Sequence, residues 1–258
     1  MKRVGVVALN TFREAVRDRV LYNLLFFALV MMAASIIAGQ ISIGIEQTVI
    51  VTLGLSAISL IGLLIAVFIG VGLVSKEMDK RTLYALLAKP VRRWEFLLGK
   101  FGGLVLTLAV NTAAMGIGLF LALMYVKSTP EQGDATILVA VYFIWLKLAL
   151  VVALALLFSC FTTPLLAILF TAGIYIVGLY VQELRNLPMQ VMSPGMTAFT
   201  KYLSYLLPNF ENFNIVAMAA HALPVPASLV AQNTLYAAVY CTIVLTAAVL
   251  VFSRRNLK

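Results

Sequence analysis

The chain has 258 residues, 63% of them hydrophobic and 11% charged, with a mean hydropathy of +1.04 and a formal net charge of +9. A soluble domain carries about a quarter charged residues. The long uncharged runs instead define a polytopic membrane protein of the all-α class, because backbone groups in lipid must find partners within their own helix. The basic residues lie between apolar runs, so the positive charge reads as topology charge at a membrane face, not as a nucleic-acid footprint.

In chain order, residues 1–19 come first. Val4, Val7, Ala8, Phe12, Ala15 and Val16 fall on one helical face, and Arg3, Asn10, Arg13, Glu14, Arg17 and Asp18 on the other. This pattern predicts an interfacial helix lying on the inner leaflet, the simpler alternative being a basic anchor for the first span. Lys2 and Arg3 have no adjacent apolar core, so the segment does not read as a cleavable signal peptide, and the first span reads as an uncleaved anchor.

Six apolar spans follow, at roughly 20–39, 49–75, 101–126, 137–159, 164–182 and 230–252, in a single transmembrane domain 1–258. Each is about 19–27 residues, enough to cross a core of ~30 Å as a helix. The fourth and fifth are separated only by residues 160–163, with Pro164 marking the break. An even number of spans puts both termini on one side. Fifteen of the nineteen basic residues lie in 1–19, 76–100 and 253–258. The opposite loops hold Lys127, Arg185 and Lys201 with Glu46, Glu131, Asp134, Glu183 and Glu211. This asymmetry predicts an inner-membrane protein with both termini and the 76–100 segment in the cytoplasm.

Within the spans, Gly62, Ala66 and Gly70 recur every four residues and predict close helix packing, either within the chain or against a second copy. Thr107 and Asn111 lie one turn apart and read as interhelical hydrogen-bonding groups, with a place on a transport path as the alternative. Lys147 sits near the middle of the fourth span, where a lysine costs roughly 2.5–3.5 kcal/mol. It must face the bundle or a wet cavity. It is either a residue of the transport path or a lysine satisfied by carbonyls or by snorkelling outward.

The external segment 183–229 carries five prolines. Met196, Phe199, Tyr202, Leu203 and Leu206 share a face and predict a short amphipathic helix at the outer interface. A re-entrant hairpin is the alternative, with the apolar run 214–223 suited to dip between spans. An envelope partner could meet this segment.

No catalytic motif is visible. Gly99-Lys100 is followed by Phe101 and lacks the earlier glycine of a phosphate-binding loop, and there is no HExxH. His221 is the single histidine, and it reads as a surface residue more readily than as a ligand. Cys160 and Cys241 fall at a span end and inside a span. They are not placed for a disulfide and are too few for a metal cluster. No metal site and no cofactor bound by this chain is predicted.

The charged island 72–103 reads GLVSKEMDKRTLYALLAKPVRRWEFLLGKFGG. Residues 77–88 predict a short amphipathic helix with Leu83, Leu86 and Leu87 on its apolar face, ended by Pro90. Such a helix is suited to a groove on a partner. Arg92, Arg93 and Trp94 follow as a membrane-surface cluster before a glycine-rich start to the third span.

At Gly72, Glu77, Thr82, Leu83, Leu86, Leu87, Lys89, Pro90, Arg93, Glu95, Phe96, Gly99 and Lys100 the chain resembles the permeases of ABC-2-type transporters. Arg81 stands where many members have glycine. The likeness extends to FREAVRDRV, LLPNFENFN and the FSRRNL tail, so it covers nearly the whole chain, although only 72–103 is specific. Among subgroups the chain is similar to the six-span permeases without extra domains. That group includes the permease of the copper-processing system for nitrous oxide reductase maturation.

The resemblance implies a non-catalytic subunit that pairs with a second copy and is driven by two separate ATP-binding subunits, which hold the ATP and Mg. It implies that 76–100 is a coupling segment in which Glu77, Arg81, Thr82, Leu83, Tyr84, Leu86 and Leu87 meet the ATPase, with Arg92, Arg93 and Trp94 as membrane anchors. It also implies export. A secondary transporter or channel acting alone is disfavoured by the lack of intramembrane carboxylates and of Gly/Pro-broken inverted helices. A scaffold that transmits mechanical work without moving a substrate stays open. The sequence does not name a cargo.

Overall fold

The structure is a computed structural model and describes residues 2–42, 44–79, 92–127, 132–186, 202 and 204–254. It is all-helical among the described residues. The helices are α1 (Lys2–Val16), α2 (Arg19–Ile41), α3 (Glu46–Asp79), α4 (Arg93–Lys127), α5 (Thr136–Ser159), α6 (Pro164–Leu179), α7 (Val181–Asn186), α8 (Val216–Ala220) and α9 (Ala227–Arg254). Short 3-10 turns occur at Gln132–Ala135 and Glu211–Phe213. Helices α2, α3, α4, α5 and α9 are each long and apolar enough to cross a membrane. Helix α6 is the shorter apolar helix, with 16 residues. At 1.5 Å per residue it reaches about 24 Å.

Hydropathy alone places the second and third spans at 49–75 and 101–126, but the helices that carry them are longer. α3 runs on to Asp79, and α4 starts at Arg93. The reason at Arg93 is local. Glu95 Oε2 accepts a 2.8 Å hydrogen bond from the Arg92 N–H, and the Phe96 N–H donates to the Arg92 carbonyl at 3.2 Å. Arg92 thus caps a helix whose third residue reaches back to it, and that start is fixed by polar groups outside the apolar run. Between α5 and α6, Thr163 is extended and Pro164 takes the first helical position, where its missing N–H costs nothing.

The core is built on α5. Every residue from Leu146 to Leu156 is buried. Of the apolar window in this helix 78% lies inside the bundle, against 22% for α2. A helix that is hydrophobic all round belongs at the centre. α3, α4, α6 and α9 pack around it, with α2 outside on α3 and α4. Gly62 on α3 receives Leu148 of α5, and Gly70 faces Ala155. The small-residue stripe therefore serves packing within the chain.

The apolar face of α1, expected at the inner leaflet, packs on α4. A Cβ at Gly103 would stand 2.5 Å from the Ala8 carbonyl oxygen, and one at Gly99 would stand 2.5 Å from Val7 Cβ. Thr11 is fully buried in this seam, its hydroxyl donating to the Val7 carbonyl at 2.9 Å. The glycines before the third span are thus the groove in which α1 rests.

At the opposite end, residues 204–226 fold back onto the helix ends. The Phe210 N–H donates to the Gly178 carbonyl at 3.0 Å, and the Asn209 N–H donates to the Tyr236 hydroxyl at 2.8 Å. The Asn233 side chain donates to the Asn212 carbonyl at 2.7 Å, and Thr136 Oγ1 donates to the Leu223 carbonyl at 2.9 Å. Phe213 is buried and meets Phe143 of α5 edge-on at 6.4 Å. Residues 208–216 therefore pack onto the bundle, with Phe210, Phe213 and Ile215 buried and Asn212 and Asn214 exposed. Of the face expected to form an outer amphipathic helix, Tyr202 and Leu206 are exposed, while Met196, Phe199 and Leu203 lie outside the described residues.

Gly103→Val overpacks the α1–α4 seam, at a cost of about 1–3 kcal/mol. We expect a lower unfolding midpoint in detergent and tryptic cleavage at Arg13 and Arg17. Gly102→Val, whose Cβ would find only Ala8 at 3.7 Å, should leave both unchanged.

Candidate functional site

Two places gather the polar residues of this apolar chain. The first is the end of the bundle where α1, the end of α3, the start of α4 and the end of α9 meet. Arg93 donates through one guanidinium nitrogen to the carbonyls of Phe252 at 3.0 Å and Ser253 at 2.8 Å, closing the last turn of α9. A cation suits these carbonyls because the C-terminal end of a helix carries partial negative charge. Phe96 stacks near Phe252, with ring centroids 6.3 Å apart. Lys100 is 1% exposed and donates to Glu14 Oε2 at 3.4 Å. Its burial requires a partner of this kind.

The site residues expected from the sequence divide here. Arg92 and Trp94 are exposed, whereas Arg93 is half-buried and turned toward α9, so it does not simply face the lipid surface. Glu77 falls in the final turns of α3, but its side chain lies outside the described residues. Arg81, Thr82, Leu83, Tyr84, Leu86 and Leu87 lie outside the described residues altogether.

The second place is inside the bundle. Lys147 is 7% exposed, and its Nζ donates to Ser59 Oγ on α3 at 2.7 Å. The same ammonium lies 5.9 Å from the Tyr175 ring centroid on α6, within range of a cation–π attraction. These groups line a cavity of about 360 Å³, together with Ser56 and Asn214. Leu60, Leu63, Ile144 and Leu179 make its apolar walls, and residues Phe213–Val216 complete it. Glu211 does not line the cavity, and its carboxylate accepts from the Asn214 amide at 2.9 Å.

Thr107 and Asn111 are not at this cavity. The Thr107 hydroxyl donates to the Gly103 carbonyl of its own helix at 2.9 Å, so it does not bridge helices as expected. Asn111 is 7% exposed, and its side-chain nitrogen has no hydrogen-bond partner among the described residues. Ser59 and Tyr175 were not singled out from the sequence. The signal was present in Ser56 and Ser59, one turn apart in an otherwise apolar run, and in a tyrosine in the middle of a short apolar helix. His221 is exposed, and no metal-holding cluster occurs among the described residues.

Fold and site together define a helical, multi-pass membrane protein with a polar centre inside the bundle. The model of the family described as ABC-2 family transporter protein matches residues 6–257, and the chain belongs to that family. No curated protein matches the chain.

Arg93→Gln should fray the end of α9. We expect faster amide exchange across 250–254 and a loss of up to about 2 kcal/mol. Asn111→Leu removes a buried donor that lacks a partner. It should raise the unfolding midpoint of the free chain, since such a group costs about 1–3 kcal/mol.

Proposed function

We propose that this chain is the membrane subunit of an ABC-type exporter, embedded in the inner membrane with both termini cytoplasmic. It pairs with a second copy and is driven by two separately encoded ATP-binding subunits that hold ATP and Mg. The family places the chain in ABC transport, and the sequence carries no phosphate-binding loop of its own. The far end, where residues 208–216 pack on the bundle, is the side available to an envelope partner.

The observation that carries the reading is mechanical. α3 and α4 each run unbroken from the bundle to the two edges of the 80–91 connection. A push on that connection would act at the ends of two long helices. α4 is also clasped there by α1 and, through Arg93, tied to α9. In this reading Glu77, Arg81, Thr82, Leu83, Tyr84, Leu86 and Leu87 contact the ATPase, and the exposed Arg92 and Trp94 sit at the leaflet.

The test is co-purification with the ATPase and measurement of coupled hydrolysis in lipid discs. Combined Tyr84→Ala and Leu86→Ala should reduce both at least tenfold without shifting the unfolding midpoint of the free permease. Unchanged capture and unchanged hydrolysis would sink the assignment.

A further inference from the structure

We propose that the cavity at Lys147 binds the anionic head of a single-headed amphiphile, a carboxylate or phosphate monoester carrying an alkyl chain. Lys147 lies eleven residues into α5 from Thr136. It is therefore about 16 Å from that helix end, near the middle of the bundle. An ammonium has three donors. Ser59 takes one, at 2.7 Å, and no described carboxylate forms an ion pair with Lys147. A buried cation in this state is costly unless another acceptor completes its shell.

The surroundings select the kind of acceptor. The Ser59 hydroxyl touches the ammonium at 2.7 Å and Tyr175 lines the same cavity, so an anion held there meets two side chains that carry a hydroxyl donor. The remaining walls are mostly apolar. Leu60 lines the cavity yet is 53% exposed on the bundle surface. The cavity thus reaches the bundle surface, and an alkyl chain can leave through it. At about 360 Å³ the cavity is at the small end of ligand pockets, large enough for a head and the first part of a chain.

As a cargo site this inference rests on the exporter reading above; as a binding site it stands on the cavity alone. Equilibrium dialysis of the permease without its ATPase, in a neutral maltoside detergent, separates the two. The probes are dodecanoate, dodecyl phosphate, neutral dodecanol, acetate and inorganic phosphate. Dodecanoate and dodecyl phosphate should bind at least tenfold more tightly than dodecanol. Lys147→Met should remove that preference and leave dodecanol binding as it was. Ser59→Ala should weaken the anions roughly three- to fivefold. Binding of dodecyl phosphate alone or dodecanoate alone assigns the head as phosphate or carboxylate, and either supports the site.

Acetate or inorganic phosphate binding as tightly as the long-chain anions overturns the amphiphile, because the cavity would then take a free ion. Equal binding of dodecanoate and dodecanol overturns the anion site. If Lys147→Met does not fold, the wild-type comparison of dodecanoate with dodecanol decides the matter by itself, with Lys147→Arg expected to retain the preference. In the assembled transporter, dodecanoate-stimulated ATP hydrolysis that is lost on Lys147→Met would support the cargo role. Binding without stimulation would leave the site intact and overturn that role.

Discussion

In lipid, apolar side chains gain little by leaving their surroundings for a helix interface. Association must come from close packing and from polar groups that find partners across helices. α5 supplies both. Within two turns, Tyr142 hydrogen-bonds Thr234 of α9 at 3.0 Å, the Trp145 indole donates to the Val105 carbonyl of α4 at 3.1 Å, and Lys147 donates to Ser59 of α3 at 2.7 Å. Three neighbours are thus pinned to one helix by three different side chains. Between those pins, Gly62 admits Leu148, and a Cβ at Gly116 would stand 2.9 Å from Val141. The bundle depends on this helix having polar atoms on several sides and no face given over to lipid.

The charged end is organised differently. There the helix ends are joined by charge and by capping. Arg93 closes α9, Glu95 caps α4, and Lys100 meets Glu14 across the α1–α4 seam. A residue that reads in the sequence as a membrane anchor and another that reads as a failed nucleotide loop are therefore joints between helices. Such joints can carry a displacement from one helix to the next, as a driven transporter requires.

The all-helical membrane class was legible because it depends on composition and run length, which a bilayer imposes directly. The need for Lys147 to face inward was legible for the same reason: the cost of a charge in hydrocarbon does not depend on fold. What the sequence could not supply were facts about neighbours. Thr11 and Thr107 look alike in an apolar helix, and both satisfy themselves on a carbonyl four residues back, so neither needs a partner helix. α1 carries a face that would suit a leaflet as well as it suits α4, and only the shape offered by Gly99 and Gly103 decides between them. Ser59 and Tyr175 became visible as a site only when two distant spans were set beside Lys147. The segment 208–216 is held by backbone groups and asparagines, whose partners no periodicity reveals.

The short α6 affects the membrane as well as the protein. A helix of about 24 Å beside a hydrocarbon core of ~30 Å leaves a mismatch that the bilayer relieves by thinning locally or that flanking residues relieve at the interface. Tyr180, at its far end, is an exposed aromatic of the kind that settles at headgroup level. α6 also contributes Tyr175 and Leu179 to the Lys147 cavity. The side of the bundle with the shortest wall is therefore a side of the buried cation. Where the bilayer thins to meet that wall, a polar head has less hydrocarbon to cross.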